Sequence, residues 1–295
     1  MLLGNFRHLD RVESLSPDEV LRAVRDALAE DIGTGDVTTL ATVPQDHTAS
    51  ALMVAREPLV LAGIDFAFTA FRELSTDVSI ALYKKDGEKA SPGEPLLKAS
   101  GPARALLSAE RVALNFVQRL SGIATLTSRF VDAVQGTGAR ILDTRKTTPG
   151  WRRFEKYAVA CGGGTNHRFG LYDLVLIKDN HLAALRSALP DPIRTAVGRA
   201  RESYPKLKVE VEVDTHEQLD SALDAGADII LLDNMTPEQM RHAVKKCRGR
   251  ALTEASGGVT LEKVRAIAET GVDYISSGAL THSARAMDIA LDFQA

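Results

Sequence analysis

Residues 209–258 read VEVEVDTHEQLDSALDAGADIILLDNMTPEQMRHAVKKCRGRALTEASGG, and they contain the repeat from which the architecture can be inferred. Apolar runs recur in it, and each run ends in a polar or charged residue. Glu212, Asp233, Glu254 and, one run later, Ser276 follow one another at spacings of 21, 21 and 22 residues. A period of that length fits one strand, one helix and their turns, so several in series predict a parallel β/α architecture.

Segments with helical spacing of apolar residues lie between these strands, at residues 217–225 and 237–247, and each closes near a glycine. Charged residues that recur at the C-terminal ends of strands favour a barrel whose site lies on that face. A doubly wound sheet also alternates strands with helices, so the period alone leaves that architecture open.

The first part of the chain has a different pattern. Ser16-Pro17-Asp18-Glu19 predicts a helix start, because a capping hydroxyl precedes a proline and two acidic residues, and Gly33 ends the helical pattern. Shorter patterns predict strands at 50–55 and 59–62, a helix at 66–74, turns over 86–97 and a long helix at 103–120. We therefore expect one domain over residues 1–117 and a second over 118–295, whose last residues pack back on the first.

The composition is that of a soluble globular protein, since 44% of the 295 residues are hydrophobic and 25% are charged. A formal net charge of −3 gives no general attraction to nucleic acid. Only Cys161 and Cys247 are present, which implies no disulfide framework and favours a reducing compartment. Neither the N-terminal MLLGNFRHLDRVE nor any later run has the apolar length of a signal peptide or of a membrane span. The sequence predicts a cytoplasmic protein that binds neither nucleic acid nor membrane.

Two basic segments lie where a barrel would bind an anion. In DTRKTTPG (143–150), Arg145 and Lys146 directly follow an apolar strand, which outweighs the alternative of a solvated basic turn. In CGGGTNHR (161–168), three glycines allow backbone amides to approach a ligand, and His167 and Arg168 follow at once. Cys161 has no metal-ligand pattern around it, which favours a small core residue.

Lys178 lies at the end of an apolar run in LIKDNH (176–181), where burial is costly unless the lysine is paired or meets an anion. Two functions remain open for it, a Schiff-base nucleophile and an electrostatic clamp on a polyanion. His181 is equally compatible with a helix cap or surface position and with a site role.

Acidic residues form a second group. Glu210 and Glu212 alternate with valines, so both point to one face of their strand, and at least one needs a partner there. Glu212 and Asp233, on adjacent strand ends that face several cations, suit magnesium held together with a phosphorylated substrate. The alternative is a structural salt bridge to Lys178 or Arg145.

Small residues end the last two strand-like runs, as SGG (256–258) and SSG (276–278). Backbone amides in such turns can donate to a phosphate, and barrels commonly bind phosphate at this position. The predicted pocket is therefore cationic, with an acidic edge and a phosphate cradle. It suits one substrate with carboxylates and another with several phosphates.

The chain closely resembles the quinolinate phosphoribosyltransferase family, in the family's order and over about residues 30 to 285. The matching segments are EDIGTGDVTT (30–39), SAERVALNFVQRLSGIAT (108–125), DTRKTTPG, EKYAVACGGGTNHRFGLYD (155–173), LIKDNH, VEVEVD, LLDNM (231–235), EASGG (254–258) and ISSGAL (275–280). DTRKTTPG together with GGGTNHR and IKDNH is highly specific.

The resemblance implies an N-terminal α/β sandwich domain, an open β/α barrel of seven strands and a homodimer as the minimal unit, and it leaves open whether dimers assemble further. It implies that quinolinate is bound by Arg145, Arg168 and Lys178, with Thr144 and Lys146 at the border of the pocket and Arg111 supplied by the partner subunit.

The second substrate implied by the resemblance is phosphoribosyl pyrophosphate (PRPP). The residues implied on its side are Lys146, His167, Lys178 and His181, with Glu212 and Asp233 near the ribose and the magnesium. Its 5-phosphate would lie on two turns, Ser256, Gly257 and Gly258 in one and Ser277, Gly278 and Ala279 in the other. Mg²⁺ would be bound mainly through the pyrophosphate of the substrate.

The implied activity is transfer of phosphoribosyl to quinolinate with loss of carbon dioxide, which gives nicotinate mononucleotide on the de novo route to NAD. Three other functions are considered. A Schiff-base aldolase of the barrel fold would use Lys178. A nicotinate phosphoribosyltransferase would need a pocket for one carboxylate only, and a non-catalytic paralogue would have lost charged positions that this chain retains.

Overall fold

The computed structural model describes residues 14–187 and 191–294, which form two compact units. The first contains residues 14–128, 153–163 and 283–294, and the second contains 129–152, 164–187 and 191–282. The N-terminal segment expected to lack a signal peptide, MLLGNFRHLDRVE, lies outside the described residues. The domain boundary at residue 117 stays a prediction.

The helices are α1 (Pro17–Ile32), α2 (Val37–Thr42), α3 (Ile64–Leu74), α4 (Ala103–Ala133), α5 (Arg152–Cys161), α6 (Asp179–Ala184), α7 (Pro192–Ser203), α8 (His216–Asp224), α9 (Pro237–Cys247), α10 (Leu261–Ala268) and α11 (Ala279–His282). The strands are β1 (Thr48–Ala55), β2 (Leu59–Val60), β3 (Ser79–Leu82), β4 (Lys89–Ala90), β5 (Pro95–Pro102), β6 (Arg140–Leu142), β7 (Val175–Ile177), β8 (Val209–Val213), β9 (Ile229–Asp233), β10 (Leu252–Ser256), β11 (Tyr274–Ser276) and β12 (Ile289–Gln294). Among the described residues, no helix combines the length and the apolar character that a membrane crossing requires.

The first unit is built on an antiparallel sheet in the strand order β12–β1–β5–β3. Strand β12, from the end of the chain, pairs with β1, and β5 pairs with the other edge of β1. Helix α1 begins as predicted, because Ser16 and Glu19 form a reciprocal capping box and Val20, Val24 and Leu28 are buried. The antiparallel sheet and its helices give the expected α/β unit.

The prediction for the long helix was wrong at its C-terminal end, since α4 continues beyond residue 120 to Ala133. Ser121 and Gly122 interrupt the apolar pattern, but packing within the first unit requires both. The Ala62 N–H donates to the Ser121 hydroxyl at 3.0 Å, and a Cβ at Gly122 would lie 1.9 Å from the carbonyl oxygen of Arg285. Tertiary contacts therefore override local preference here.

The second unit is built on a parallel sheet in the order β6–β11–β10–β9–β8–β7. On the edge of β6 away from β11, Thr165 forms an isolated parallel bridge to Leu142. The seventh strand of the expected barrel is thus represented by this one residue. Of the seven strands expected, six are therefore present as strands in the described ranges. The predicted helices at 217–225 and 237–247 are α8 and α9, and Gly226 and Gly249 follow them with positive φ angles of 80° and 79°.

Contacts of His167 show that this sheet curls into a barrel. His167 follows the Thr165 bridge, which in a flat sheet would lie five strand spacings, about 24 Å, from β8. Its Nε2 is nevertheless 3.2 Å from Oε2 of Glu210 on β8 and 3.5 Å from Oε2 of Glu254 on β10. The three side chains can meet only on the concave face of a curled sheet. The barrel alternative is thus confirmed over the doubly wound sheet.

The four residues that predicted the β/α period do not all end a strand. Asp233 and Ser276 end β9 and β11 as expected, and Glu212 is the last residue but one of β8. Glu254, however, is the middle residue of β10, which continues to Ser256. The placement of Glu254 at a strand end was wrong because the two residues after it still pair with β9. Glu212 and Glu254 therefore lie at one level of the sheet, and Asp233 and Ser256 lie at the level nearer the C-terminal ends of the strands.

Candidate active site

The end of β6 is joined to the segment after Thr165 through Asp143, which is fully buried. Its carboxylate accepts hydrogen bonds from the His167 N–H and from the Asn166 side chain, each at 2.8 Å. These bonds hold the DTRK segment beside the NHR segment. Asp143 and Asn166 lie within DTRKTTPG and CGGGTNHR, but neither motif alone predicted a role for them. The aspartate two residues before Arg145 was the available signal.

Arg145 and Arg168 are the cationic centre that this arrangement creates. Arg145 Nε is buried and has no hydrogen-bond partner among the described residues. Burial lowers the pKa of Arg168, and the charge of Arg145 lowers it further, while the carboxylates of Glu210 and Asp173 act in the opposite direction. Two guanidinium groups near enough to repel each other, one of them with an unused buried N–H, form a site for an anion with more than one carboxylate.

The glycines at 162–163 have a packing role, whereas the sequence predicted that they approach a ligand. The N–H groups of Gly162 and Gly163 donate to carbonyls of α5, at 3.1 and 3.0 Å. A Cβ at Gly162 would lie 2.3 Å from the carbonyl oxygen of Ala124. These glycines end a helix and allow close packing in the first unit, so that part of the anion-site interpretation is corrected.

Burial raises the pKa of the Cys161 thiol to about 12, which agrees with a core residue.

His167, Glu210 and Glu254 form a buried cluster inside the barrel. Both glutamates are almost fully buried. Burial and then the charge of Glu210 raise the pKa of Glu254 to about 8. The backbone N–H of Arg168 donates to His167 Nδ1 at 2.6 Å. The sequence predicted that a glutamate of β8 needs a partner. His167 Nε2 lies 3.2 Å from Glu210, but neither carboxylate oxygen of Glu210 has a hydrogen-bond partner among the described residues. It did not predict that Glu254 belongs to the same cluster.

Lys178 and Glu212 are in direct contact at the ends of β7 and β8, with side chains 42% and 14% exposed. Lys178 is less buried than the apolar run suggested because it lies just beyond β7 and caps α6. Its N–H donates to His181 Nδ1 at 2.9 Å, which places His181 at the same strand end. The salt bridge considered for Glu212 is therefore present, and it brings a cation and a carboxylate together at the rim of the barrel.

Asp233 and the turn after β10 are adjacent. Asp233 lies opposite Ser256 in the sheet, and the Asn234 side chain donates to the Asp233 carboxylate at 2.8 Å. Gly257 has a φ of 90°, and a Cβ on it would lie 2.1 Å from Asn234 Oδ1. Only glycine can approach the Asp233–Asn234 turn this closely. Gly258, with a φ of 58°, continues the turn into open space.

The turn after β11 lies against Lys146. A Cβ at Gly278 would be 2.9 Å from Lys146 Cδ, and the Thr281 hydroxyl donates to the Lys146 carbonyl at 2.7 Å. The Ser277 N–H donates to the Leu142 carbonyl at 3.0 Å, and its hydroxyl donates to the Val259 carbonyl at 3.3 Å. Within the described ranges, the amides of Gly278 and Ala279 form no hydrogen bond, so they remain open to an anion beside Lys146.

The structure thus gathers most predicted site residues in the second unit. Thr144 belongs to the β6 end, where its hydroxyl accepts a hydrogen bond from the Lys146 N–H at 3.0 Å. Arg111 is different, since it lies on α4 in the first unit and is exposed.

Comparison with known proteins gives one consistent family. Residues 36–121 match the N-terminal domain of quinolinate phosphoribosyl transferase, and residues 123–292 match its C-terminal domain. The nicotinate-nucleotide pyrophosphorylase (carboxylating) of Mycobacterium leprae (strain TN) is 49% identical over 281 residues, which cover 93% of this chain and 97% of that protein. A Bacillus subtilis (strain 168) protein named a probable nicotinate-nucleotide pyrophosphorylase (carboxylating) is 48% identical over 264 residues, 89% of each chain.

Solved structures agree with the sequence relatives. The nicotinate-nucleotide pyrophosphorylase from Francisella tularensis has a TM-score of 0.91 and 40% identity, and the match covers 97% of this chain and 100% of that one. Both domain matches and these relatives extend over nearly all of the chain, so the chain belongs to the quinolinate phosphoribosyltransferase family.

Proposed function

We propose that this chain transfers the phosphoribosyl group of PRPP to quinolinate with loss of carbon dioxide, and so makes nicotinate mononucleotide and pyrophosphate for NAD biosynthesis. The observation that carries the proposal is the pairing of Arg145 with Arg168. The Arg145 guanidinium lowers the pKa of Arg168, and the buried Nε–H of Arg145 has no acceptor within the described part of the chain. An ortho-dicarboxylate supplies the two negative charges and the planar oxygen pairs that this site lacks.

Quinolinate is held in this proposal by Arg145, Arg168 and Lys178, with Thr144 and Lys146 at the border and Arg111 from the partner subunit. Arg145 and Arg168 are kept side by side by the Asp143 hydrogen bonds, so the pocket is organised before the ligand binds. Preorganisation of this kind lowers the entropic cost of binding.

The PRPP side of the pocket comprises Lys146, Lys178, His181, Glu212 and Asp233 in the proposal. The 5-phosphate lies between the two turns Ser256–Gly258 and Ser277–Ala279, where open amides and Lys146 meet. Mg²⁺ binds mainly to the pyrophosphate of the substrate, near Glu212 and Asp233, since carboxylate and phosphate oxygens are the donors it prefers. When bound, the ion neutralises negative charge on the departing pyrophosphate.

The reaction needs orientation more than acid or base catalysis. The pyridine nitrogen is a nucleophile at neutral pH, so the arginines need only aim it at C1 of the ribose. As the bond from C1 to the pyrophosphate oxygen breaks, Glu212 and Asp233 stabilise the positive charge at C1, and Lys178 stabilises the departing oxygen.

Decarboxylation follows from the charge that the new bond creates. Once the nitrogen is bound to C1, the ring is cationic. The bond from the ring to the adjacent carboxylate then breaks, carbon dioxide leaves, and the electron pair stays on the ring carbon until a proton is added. The arginines hold the second carboxylate throughout, which keeps the product in place.

Assembly and location complete the proposal. The chain acts as a homodimer with a shared site in the cytoplasm. The support for the dimer is Arg111, an exposed arginine beside the buried Val112 and Leu114, which belongs to the resembling motif SAERVALNF (108–116).

The test is incubation of the protein with quinolinate, PRPP and Mg²⁺, with release of carbon dioxide as the measurement. Release in step with nicotinate mononucleotide is expected, and nicotinate in place of quinolinate should give no product. Product from nicotinate alone would favour the one-carboxylate alternative. Trapping of a Lys178 adduct by borohydride would favour the aldolase.

A further inference from the structure

Both ring nitrogens of His167 face protein partners. The backbone N–H of Arg168 donates to Nδ1 at 2.6 Å. Nε2 lies 3.2 Å from the Glu210 carboxyl and 3.5 Å from the Glu254 carboxyl. A neutral imidazole that accepts at Nδ1 carries its proton on Nε2, so that proton lies between the carboxyl groups of Glu210 and Glu254. The side chain is only 10% exposed. Neither nitrogen is left for a phosphate oxygen.

The same tautomer argues against a metal ion in this cluster. One donor atom each from His167, Glu210 and Glu254 lies within 4.8 Å of the others, a spacing that could fit an ion. A ring nitrogen that carries a proton has no lone pair to offer, however, so only two carboxylates would remain as ligands. The hydrogen bond that Nδ1 accepts from the Arg168 backbone, with Nε2 turned toward the two glutamates, explains the cluster better.

We infer that His167 is a positioning residue for Arg168 and does not bind PRPP. Glu210 and Glu254 lie against the Nε2 side of the ring, and Nδ1 accepts a hydrogen bond from the backbone N–H of Arg168. This inference rests on the proposed function. It departs from the family resemblance, which places His167 on the PRPP side.

Two further contacts support the inference. Asp143 accepts a hydrogen bond from the His167 N–H at 2.8 Å, so the residue is fixed at its backbone as well as at its ring. The charge of Glu210 raises the pKa of Arg168, against the lowering by burial and by Arg145. Glu210 therefore stabilises the charged guanidinium of Arg168, and the contacts of Asp143 and His167 fix the adjoining backbone before the dicarboxylate arrives.

The experiment measures the two substrate affinities separately. Phthalate replaces quinolinate because it has the same two carboxylates and no ring nitrogen to react. Calorimetry gives the affinity for phthalate and for PRPP, each with and without a saturating amount of the other. Three variants are compared with the wild type: His167→Asn, His167→Gln and, as a matched control, His242→Gln, which changes a histidine of α9 whose ring meets that of His216 with centroids 4.6 Å apart.

We expect both His167 variants to bind phthalate more weakly and PRPP within about twofold of the wild type. His167→Gln should lose about tenfold or more, the scale of losing a contact that supports a binding side chain. His167→Asn should lose less, because its side-chain oxygen can still accept from the Arg168 N–H near the Nδ1 position. His242→Gln should change neither affinity.

Three results would overturn the inference: loss of PRPP affinity equal to the loss for phthalate, unchanged affinity for phthalate, or the reverse order of the two variants. A wild-type protein that binds neither ligand would instead refute the proposed function. If the variants do not fold, nitrogen-15 spectra of the histidine-labelled wild type decide. The Nε2–H tautomer of His167 should persist when PRPP is added, and conversion to the imidazolium form would count against us.

Discussion

Glu210 and Glu254 lie two strands apart in the barrel sheet, yet both carboxylates approach one nitrogen of His167. Burial is the main reason that the pKa of Glu254 is raised to about 8, and the charge of Glu210 adds to it. His167 and the Ser276 side chain act in the opposite direction. Glu254 is therefore protonated near neutral pH in the folded chain and ionised in the unfolded one.

Glu254→Gln should remove part of the pH dependence of stability. The unfolded carboxyl has a pKa of 4.5 and the folded one a pKa of about 8, so the folded chain binds one proton more between these values. The stability from this proton is fully present below the lower pKa and is lost as the pH rises through the upper one. The variant lacks this loss. As the pH rises through this window, the free energy of unfolding of the variant should increase relative to that of the wild type by up to about 1.4 kcal/mol per pH unit.

Urea unfolding of both proteins at several pH values across this window measures the difference. A difference that stays constant from the acidic to the alkaline end would show that Glu254 does not change its protonation on folding.

Arg145→Ala should weaken quinolinate far more than PRPP. The substitution removes a bidentate partner of a carboxylate and leaves Arg168 to face the dicarboxylate without its neighbour. The expected loss is about 2 to 5 kcal/mol in quinolinate binding, the scale for one partner of a buried charge pair. Arg145→Lys is the matched control, which keeps the charge but loses the planar fork, so its loss should be intermediate. Equal loss for both substrates in calorimetry would refute the assignment.

Much of the fold could be predicted from the sequence because its signals are local. The capping box of Ser16 and Glu19, the glycines after α8 and α9, and the recurrence of strand and helix all depend on neighbours within a few residues. The end of α4 could not be predicted in the same way. Ser121 and Gly122 are explained only by Ala62 and Arg285, which are distant in sequence.

The candidate site shows the same limit. Arg145 and Lys178 were found because each lies at the end of an apolar run, and Arg168 was found because it follows the glycine-rich segment and His167. The cluster around Glu254 was not found, because its partners come from β8 and from the segment after Thr165, and only the curl of the sheet brings them together. The glycine run misled for a related reason, since the need for Gly162 comes from Ala124 on α4 and not from a ligand.

Gly257→Ala should lower both stability and affinity for PRPP. The residue has a φ of 90°, and the added Cβ would lie 2.1 Å from Asn234 Oδ1, so the turn beside Asp233 must shift. A strained backbone of this kind costs about 1 to 3 kcal/mol. Gly258→Ala is the control, because its φ of 58° is also positive but no atom lies within 4 Å of the added Cβ. Thermal unfolding and PRPP titration should show the larger effect for Gly257→Ala, and equal effects would rule out the close approach as the cause.

Glu212→Gln and Asp233→Asn should lower turnover while quinolinate still binds. Both carboxylates lie at the rim of the barrel, Glu212 in contact with Lys178 and Asp233 beside the turn after β10. In the proposed reaction positive charge develops on the ribose there, and the magnesium ion lies nearby. Loss of such electrostatic stabilisation lowers kcat by about 100-fold. Asp214→Asn, an exposed carboxylate just beyond β8, is the control and should keep its turnover. Loss of quinolinate binding in either test variant, measured by calorimetry, would contradict this division of roles.

Two inactive variants should restore activity when mixed, if Arg111 acts in the partner's site. Arg111 lies on α4 in the first unit, while Arg145 lies in the second. A hybrid dimer of Arg111→Ala with Arg145→Ala then contains one site with both arginines and one with neither. Random exchange makes about half of all dimers hybrids, so about a quarter of the sites should work, by the two-fold symmetry of the assembly.

The control is a mixture of Arg145→Ala with Arg168→Ala, two positions that are close enough within one chain to shift a pKa. Every site of that hybrid lacks one arginine, so no activity should return. Subunit exchange is checked by mass labelling in both mixtures. If hybrids form and the first mixture stays as inactive as the second, Arg111 does not contribute to the partner's site, and its exposure on α4 needs another explanation.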